Sequence, residues 1–430
     1  MKTTPRREFI RQGSVALLAG LSIGQADTDR LEIPRMPDIV PDIPPDRDQF
    51  WDKMRGQFIL ANDLTYMNNG TMGPSPFVVY DKVRQTMTDI DKNLHYGGWE
   101  ASQKKIAEFV GADENEIALT TNVTQGINIA CWGLPLKRGD EVIMTTQEHA
   151  GSAIPWLNRQ KLDGIIIRTF APAMTAAETV KRAETLMNKH TRVIAIPHIP
   201  CSQGQIMPIK EITALAKSKG IFVFIDGAHG PGMLPLNMHE IGCDAYASCC
   251  HKWMLGPKGT GFLYVRRDFQ DTLQAIFMGA GGDNGKWNMA TDPITTFEYH
   301  PSAHRYYGGT MNISLYKGVD TAIDFINEIG MKNISGRIKY LSAIVQARLM
   351  ALSSRVEMLT PTEDASRGGV VGFRIKGKSS AEIYQLCGAE KVRIRHVPEN
   401  GMDSLRVSTH IYNSRTDIDR FIGIVQKALG

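Results

Sequence analysis

Four short apolar runs in this chain each end in residues able to do chemistry. "IFVFI" is followed by Asp226 and His229, and "DAYASCC" by His251 and Lys252. "EVIMTTQE" runs into His149, and "EIAL" into Thr121, Asn122 and Thr124, just before the helical "QGINIACWG". Ligands of open α/β sheets collect at the carboxyl ends of strands, so these residues are expected to converge. An acid, an amine, imidazoles and a hydroxyl-rich helix start together suit a phosphorylated aromatic aldehyde. Free N–H groups and hydroxyls at a helix N-terminus take the phosphate. An amine in a dry crevice bonds to the aldehyde carbon. A carboxylate opposite a pyridine nitrogen keeps it protonated, so the ring draws electrons from a substrate α-carbon.

The elements that must position these groups are legible from periodicity. "EVIMTT", "GIIIRTF", "RVIAIPHI", "IFVFIDGAH", "DAYASCC" and "GFLYVRR" read as buried strands. "TAAETVKRAETLMNKH" and "IKEITALAKSKG" between them have helical spacing and end in basic residues or Gly. That alternation predicts an α/β domain with a mainly parallel sheet and helices on both faces. After about residue 315 a long helical stretch leads to "GGVVGFRIKG" and "SLRVSTHIYNSRTDIDRFIGIV", a smaller α+β domain. The expected organisation is a large domain over 51–315 and a small C-terminal domain over 316–430.

With 430 residues, 42% of them hydrophobic and 22% charged, the chain has the make-up of a two-domain soluble enzyme. The net charge is only +4 and no dense basic run carries interleaved aromatics, which argues against a nucleic-acid partner. Residues 1–26 read as an export signal. A basic start with paired Arg6 and Arg7, then Phe9, precedes the short apolar "GSVALLAGLSIGQA". This resembles a twin-arginine (Tat) signal, with cleavage expected near Ala26, delivery to the periplasm by the Tat machinery, and no membrane attachment afterwards. Residues 27–50 include the proline-rich "IPRMPDIVPDIPPDRD" and are expected to be an extended lead-in. The six cysteines form no CxxC pair, and "HEIGC" at His239 lacks a second histidine, so no metal site is expected.

"FIDGAHGPG", followed by "HKWMLGPKGTGFLYVRR" with Lys252 26 residues after Asp226, resembles the aminotransferase class V family. Its isopenicillin-N-epimerase-like branch shares the "GAH" and "HKW" signatures. "YMNNGTMGPSP", "TTNVTQGIN", "QEHAGSAIPW", "GGTMNIS" and "LRVSTHIYN" extend the likeness from Tyr66 to the C-terminus. The resemblance implies fold type I, with a large domain built on a mainly parallel sheet of the seven-stranded type and pyridoxal 5'-phosphate (PLP) as cofactor. It makes Lys252 the Schiff-base lysine and the base at the α-carbon, and pairs Asp226 with the pyridine nitrogen. His149 would stack on the ring and His229 lie at its phenolic edge. Thr124, the N–H of Val123 and His251 would hold the phosphate. Thr310 would reach the phosphate from a second subunit, implying a homodimer with a shared site. Arg406 would clamp the substrate carboxylate, as a forked guanidinium suits.

Three departures qualify the resemblance. "VRIRHVPENGMDSLR", ahead of the carboxylate-binding arginine, has no cysteine where desulfurases carry a catalytic one. Cys249 stands where relatives place a phosphate-binding Ser or Asn, leaving Ser248 or a backbone group to compensate, and Cys201 where they place Asn or Ser. The expected activity is at the α-carbon of an amino acid or of a peptide or siderophore-type substrate, as an epimerase or aminotransferase. The alternatives are a C–S or β-lyase, including a desulfurase-like enzyme, and a non-catalytic binding protein on the same fold.

Overall fold

The central strands are continuous apolar runs, and a run without alternation needs cover on both faces. A computed structural model describes residues 44–293 and 297–430. The expected Tat signal and most of the lead-in lie outside the described residues. The lead-in's last residues are helical rather than extended: Asp48–Arg55 forms a helix that buries Phe50, Trp51 and Met54.

The sheet strands are β1 (Ile117–Thr120), β2 (Glu141–Thr145), β3 (Ile166–Phe170), β4 (Thr191–Pro197), β5 (Phe222–Asp226), β6 (Ala245–Cys249) and β7 (Gly261–Val265). Their spatial order is β1-β7-β6-β5-β4-β2-β3, and every pairing is parallel except those of β7, which is antiparallel to both neighbours. The fold is therefore the α/β arrangement expected, with a mainly parallel seven-stranded sheet. The helices that flank it are α1 (Phe77–Asn93), α2 (Glu100–Val110), α3 (Val123–Gly133), α4 (Ala150–Asp163), α5 (Ala176–Leu186) and α6 (Ile209–Ser218).

Alternate strand residues supply two cores. Ile143, Ile194, Val223, Ile225 and Tyr246 pack on one face, against Ile212 and Ala216 of α6. Val142, Met144, Ala195, Phe224 and Ala247 pack on the other, against Ile127 and Ala130 of α3. Gly126 lets α3 settle on the sheet, since a Cβ there would lie 2.8 Å from that of Ala247.

The chain then runs through α7 (Ile313–Ile329) and α8 (Met331–Leu352). The boundary expected at 315 falls at the start of α7, whose Val319, Ile323 and Phe325 belong to the large sheet's core. Helix α8 passes between the cores: Ile334 and Ile338 join the large one, Leu341 and Val345 the small one. The small sheet has β8 (Val356–Met358), β9 (Val370–Ile375), β10 (Arg395–Val397) and β11 (Ser404–Ser408), in the antiparallel order β10-β11-β9-β8. Helices α9 (Ser380–Ala389) and α10 (Arg415–Leu429) complete it, with Phe421 of α10 edge-on to Phe373 of β9. Residues Thr65–Tyr66 pair with Val392–Arg393, and Asn68 bridges Ser408, so residues 65–73 are drawn against β11 beside the crevice described next.

Among the described residues no helix is long and apolar enough to cross a membrane. All six cysteines are unpaired and buried.

Candidate active site

A cavity of about 330 Å³ opens where β5 and β6 end, at the N-termini of α3 and α4. It is lined by Val123, Thr124, His149, Asp226, His229, His251, Lys252 and Arg406, so eight of the nine residues expected from the sequence converge. The ninth, Thr310, is exposed and lines a different hollow, with Thr121, Asn128 and Gly308.

Each wall has a local cause. Helix α3 starts at Asn122, whose side chain accepts from Gln125 N, leaving the first N–H groups of Val123 and Thr124 without intrahelical partners. Helix α4 starts at His149, whose Nδ1 accepts from Gly151 N at 3.0 Å. Its ring proton therefore sits on Nε2, and burial pulls its pKa down to about 4, with Lys252 adding to the effect. Gly151 keeps the wall thin: a Cβ there would come within 3.0 Å of Thr124 Oγ1. Asp226 closes β5, is only 7% exposed, and accepts from Ala228 N at 3.0 Å. Burial raises its pKa, and Lys252 opposes the rise.

Lys252 Nζ lies 3.5 Å from His229 Nε2. The indole N–H of Trp253 donates to His229 Nδ1 at 3.0 Å. An indole can only donate, so Nδ1 must accept. Burial holds the His229 pKa well below its usual value, so the ring is neutral and its proton is on Nε2, towards the lysine. The "GAH" and "HKW" signatures are thus two halves of one contact. His410 supports it from behind. Its Nδ1 accepts from Ile411 N, its Nε2 donates to Trp253 O at 3.1 Å, and its ring stacks on Trp253.

Arg406 is fully buried on β11. Nη1 donates to Cys201 O at 3.0 Å, and Nη2 to Asn68 Oδ1 at 2.9 Å and Thr71 Oγ1 at 2.6 Å. Its Nε has no partner, and burial lowers its pKa to about 10. Gly70 permits this packing, because a Cβ there would touch His229, Ser408 and Arg406 at 3.2 to 3.4 Å.

The structure also settles the cysteine departures. Ser248 is committed to Gly227 O at 2.9 Å and is absent from the cavity wall, so it does not replace the ligand that Cys249 displaces. Cys249 lines the cavity with its thiol 3.8 Å from Ala228 O. Cys201 lines it too, and its carbonyl oxygen holds Arg406. His239 of "HEIGC" is not part of the cavity wall and pairs with Glu116 at 3.1 Å.

Sequence reasoning gave no role to Trp253, His410, Asn68, Thr71, Glu148 or Arg395. Trp253 was visible inside "HKW", and Glu148 beside His149. Glu148 is buried, accepts from Thr145 N and Oγ1, and leaves Oε2 without a partner. Burial pushes its pKa up to about 8.

The donor set fits pyridoxal phosphate. His251 Nδ1 is buried without a partner beside the start of α3, and a phosphate satisfies both. Asp226 suits the ring nitrogen, His149 offers a neutral aromatic face, His229 offers Nε2–H to an oxygen, and Lys252 offers the amine for the aldehyde.

Known proteins bear this out. Residues 80–421 match the Aminotransferase class-V family. The chain is 28% identical over 393 residues to isopenicillin N epimerase of Amycolatopsis lactamdurans, covering 86% of this chain and 96% of that protein. It is 27% identical over 389 residues to a cysteine desulfurase of Haloferax volcanii, covering 85% and 89%. The apo cysteine desulfurase of Thermococcus onnurineus NA1 superposes with a TM-score of 0.77 at 24% identity, over 87% of this chain and 96% of that one. A C-DES variant with glycine covalently linked to its PLP cofactor also gives 0.77 at 24% identity, over 86% and 98%. A fold-type-I sheet, a crevice made for pyridoxal phosphate and a match across most of the sequence lead to one conclusion: the chain belongs to the class-V aminotransferase family of PLP-dependent enzymes.

Proposed function

We propose that this enzyme acts at the α-carbon of an amino acid, or of an amino-acid terminus in a larger product, as an epimerase or aminotransferase. The observation that carries the reading is the Lys252 amine and the fully buried Arg406 guanidinium on the walls of one small crevice. Bound pyridoxal phosphate supplies an electron sink for the α-carbon of an amine joined to it. The chain's residues do the rest. Arg406 takes the substrate carboxylate, since a buried cation with an unpartnered Nε and no carboxylate in ion-pair contact calls for an anion. Lys252 moves the proton at Cα. His229, its proton fixed on Nε2 by Trp253, donates at the edge of the crevice beside the lysine.

Sulfur transfer is the weaker reading, although cysteine desulfurases are among the relatives. Persulfide chemistry needs a reactive thiolate, and the Arg395–Arg406 segment has no cysteine. Cys387 is fully buried in the small domain's core, where burial pushes its thiol up to about 12.

The reading includes a homodimer in which Thr310 serves the other protomer's crevice, supported by its exposure outside its own. Mixing Thr310→Ala with Lys252→Ala protomers is expected to restore activity, because one of the two sites is then whole. It also includes export by the Tat route. Arg6→Lys with Arg7→Lys is expected to keep the protein in the cytoplasmic fraction.

The decisive assay for the reaction is a panel of amino acids and peptides in heavy water. Deuterium at Cα with inversion identifies epimerisation, and keto-acid formation identifies transamination. Absence of Cα exchange across the panel contradicts the proposal, and release of a β-substituent moves it to the lyases.

A further inference from the structure

We infer that Arg395 forms a second anion subsite in this crevice, so that the substrate carries an acidic group beyond its α-carboxylate. The inference rests on the α-carbon reading above and narrows its substrate class.

Strands β10 and β11 put Arg395 directly opposite Arg406 in the ladder, and both line the cavity. Like charges directly opposite in an antiparallel pair repel each other. The cost is compounded because Arg406 is wholly buried. Two facing guanidiniums on one wall of the crevice make a place for two anions.

The protein's own counter-charge is incomplete. Lys252, Arg395 and Arg406 face a lining whose carboxylate is Asp226, and that group suits the ring nitrogen. Arg395 is 20% exposed, and its Nη2 pairs with Glu399 Oε1, four residues on. Its Nη1 reaches the Cys201 thiol at 3.8 Å. Glu399 uses one oxygen only, and its Oε2 is buried without a partner. A single-oxygen pairing is weaker than the forked pairing a ligand carboxylate can make, so a ligand can take the guanidinium from Glu399. His251 and the start of α3 suit the cofactor phosphate, which leaves Arg406 for the α-carboxylate and Arg395 for the second acid.

The probes are glutarate and butyrate, a diacid and a monoacid, titrated by calorimetry into the full-length holoenzyme, whose phosphate site the cofactor fills. Glutarate is expected to bind about 10-fold tighter or more. Arg395→Met is expected to erase that preference while butyrate binding stays the same. Arg395→Lys should keep part of it and covers the case in which the Met variant does not fold. Glu399→Gln, which weakens the internal competitor, should strengthen glutarate alone. Equal affinities in the wild type overturn the subsite, and mean that both arginines serve one carboxylate. A preference that survives at residue 395 changed to Met or Lys overturns it as well. Failure of the α-carbon reading would look different: glutarate preference intact, with no Cα exchange for glutamate or any other amino acid.

Discussion

The seven-stranded sheet has a hollow at each end, and the larger one is not where the chemistry gathers. At the amino ends of the strands a hollow of about 540 Å³ is lined by Leu134, Lys137, Arg192, Phe222, Asp244 and Arg266, among others. Its two arginines are each answered by a carboxylate. Arg192 pairs with Asp140 at 3.4 Å and is half exposed, while Arg266 pairs with Asp244 at 3.1 Å and lies over Phe269. At the carboxyl ends the crevice is smaller, yet it keeps a wholly buried guanidinium without a carboxylate partner and a buried imidazole nitrogen with none at all. Volume does not separate the two ends. A wholly buried charge with no opposite charge in contact does, because such a charge calls for an anion from a ligand.

That contrast breaks most sharply at its two arginines. Arg406→Met is expected to lower kcat/KM by roughly 100-fold or more, the loss of about 3 kcal/mol typical when a buried charged partner is removed. Arg192→Ala is expected to leave kcat/KM unchanged and to move stability by no more than about 0.5 kcal/mol, as exposed ion pairs do. Equal effects would mean that the crevice is not special.

A smaller effect sharpens the polarity argument within the crevice. Trp253→Phe keeps the ring but removes the donor to His229 Nδ1, and is expected to cost about 1 kcal/mol of stability. Nitrogen-15 NMR should find His229 protonated on Nε2 alone in the wild type and a mixture of tautomers in the variant. A single unchanged tautomer would show that the indole does not set it.

The smallest effect is one of pH. Glu148 has its pKa pushed up to about 8 by burial, from an ordinary value of 4.5. Between those values the folded state binds a proton that the unfolded chain has released, so this group's contribution to stability falls as pH rises from about 4.5 to about 8. Glu148→Gln removes that slope. The variant's melting temperature relative to wild type should therefore rise between pH 5 and pH 8, and parallel curves would contradict the assignment. The neutral His410, held at about 4, acts in the opposite sense, favouring the fold as pH rises from about 4 to 6.5.

How much of this the sequence disclosed depends on the distance over which each contact acts. Strand ends carrying Asp226, His149 and Lys252 were legible, because a buried run followed by a polar residue is a local pattern. The placement of Arg395 against Arg406 was not, because a ladder register is decided by the whole small sheet. The Trp253–His229 bond spans 24 residues and hides between two motifs that look independent. The domain boundary read at 315 marks a change in pattern, whereas α7 follows its apolar face into the large core. Thr310 was named from likeness alone, and one chain by itself shows only that it stands outside its own crevice.

The central claim is that the Lys252 amine is the group to which the cofactor is joined. Borohydride reduction of the purified holoenzyme, followed by proteolysis and mass spectrometry, tests it most directly. The account predicts the mass of the reduced cofactor on the peptide containing Lys252 and on no other lysine. A label on a different lysine, or a protein that retains its cofactor after Lys252→Ala and is labelled to the same extent, would contradict it.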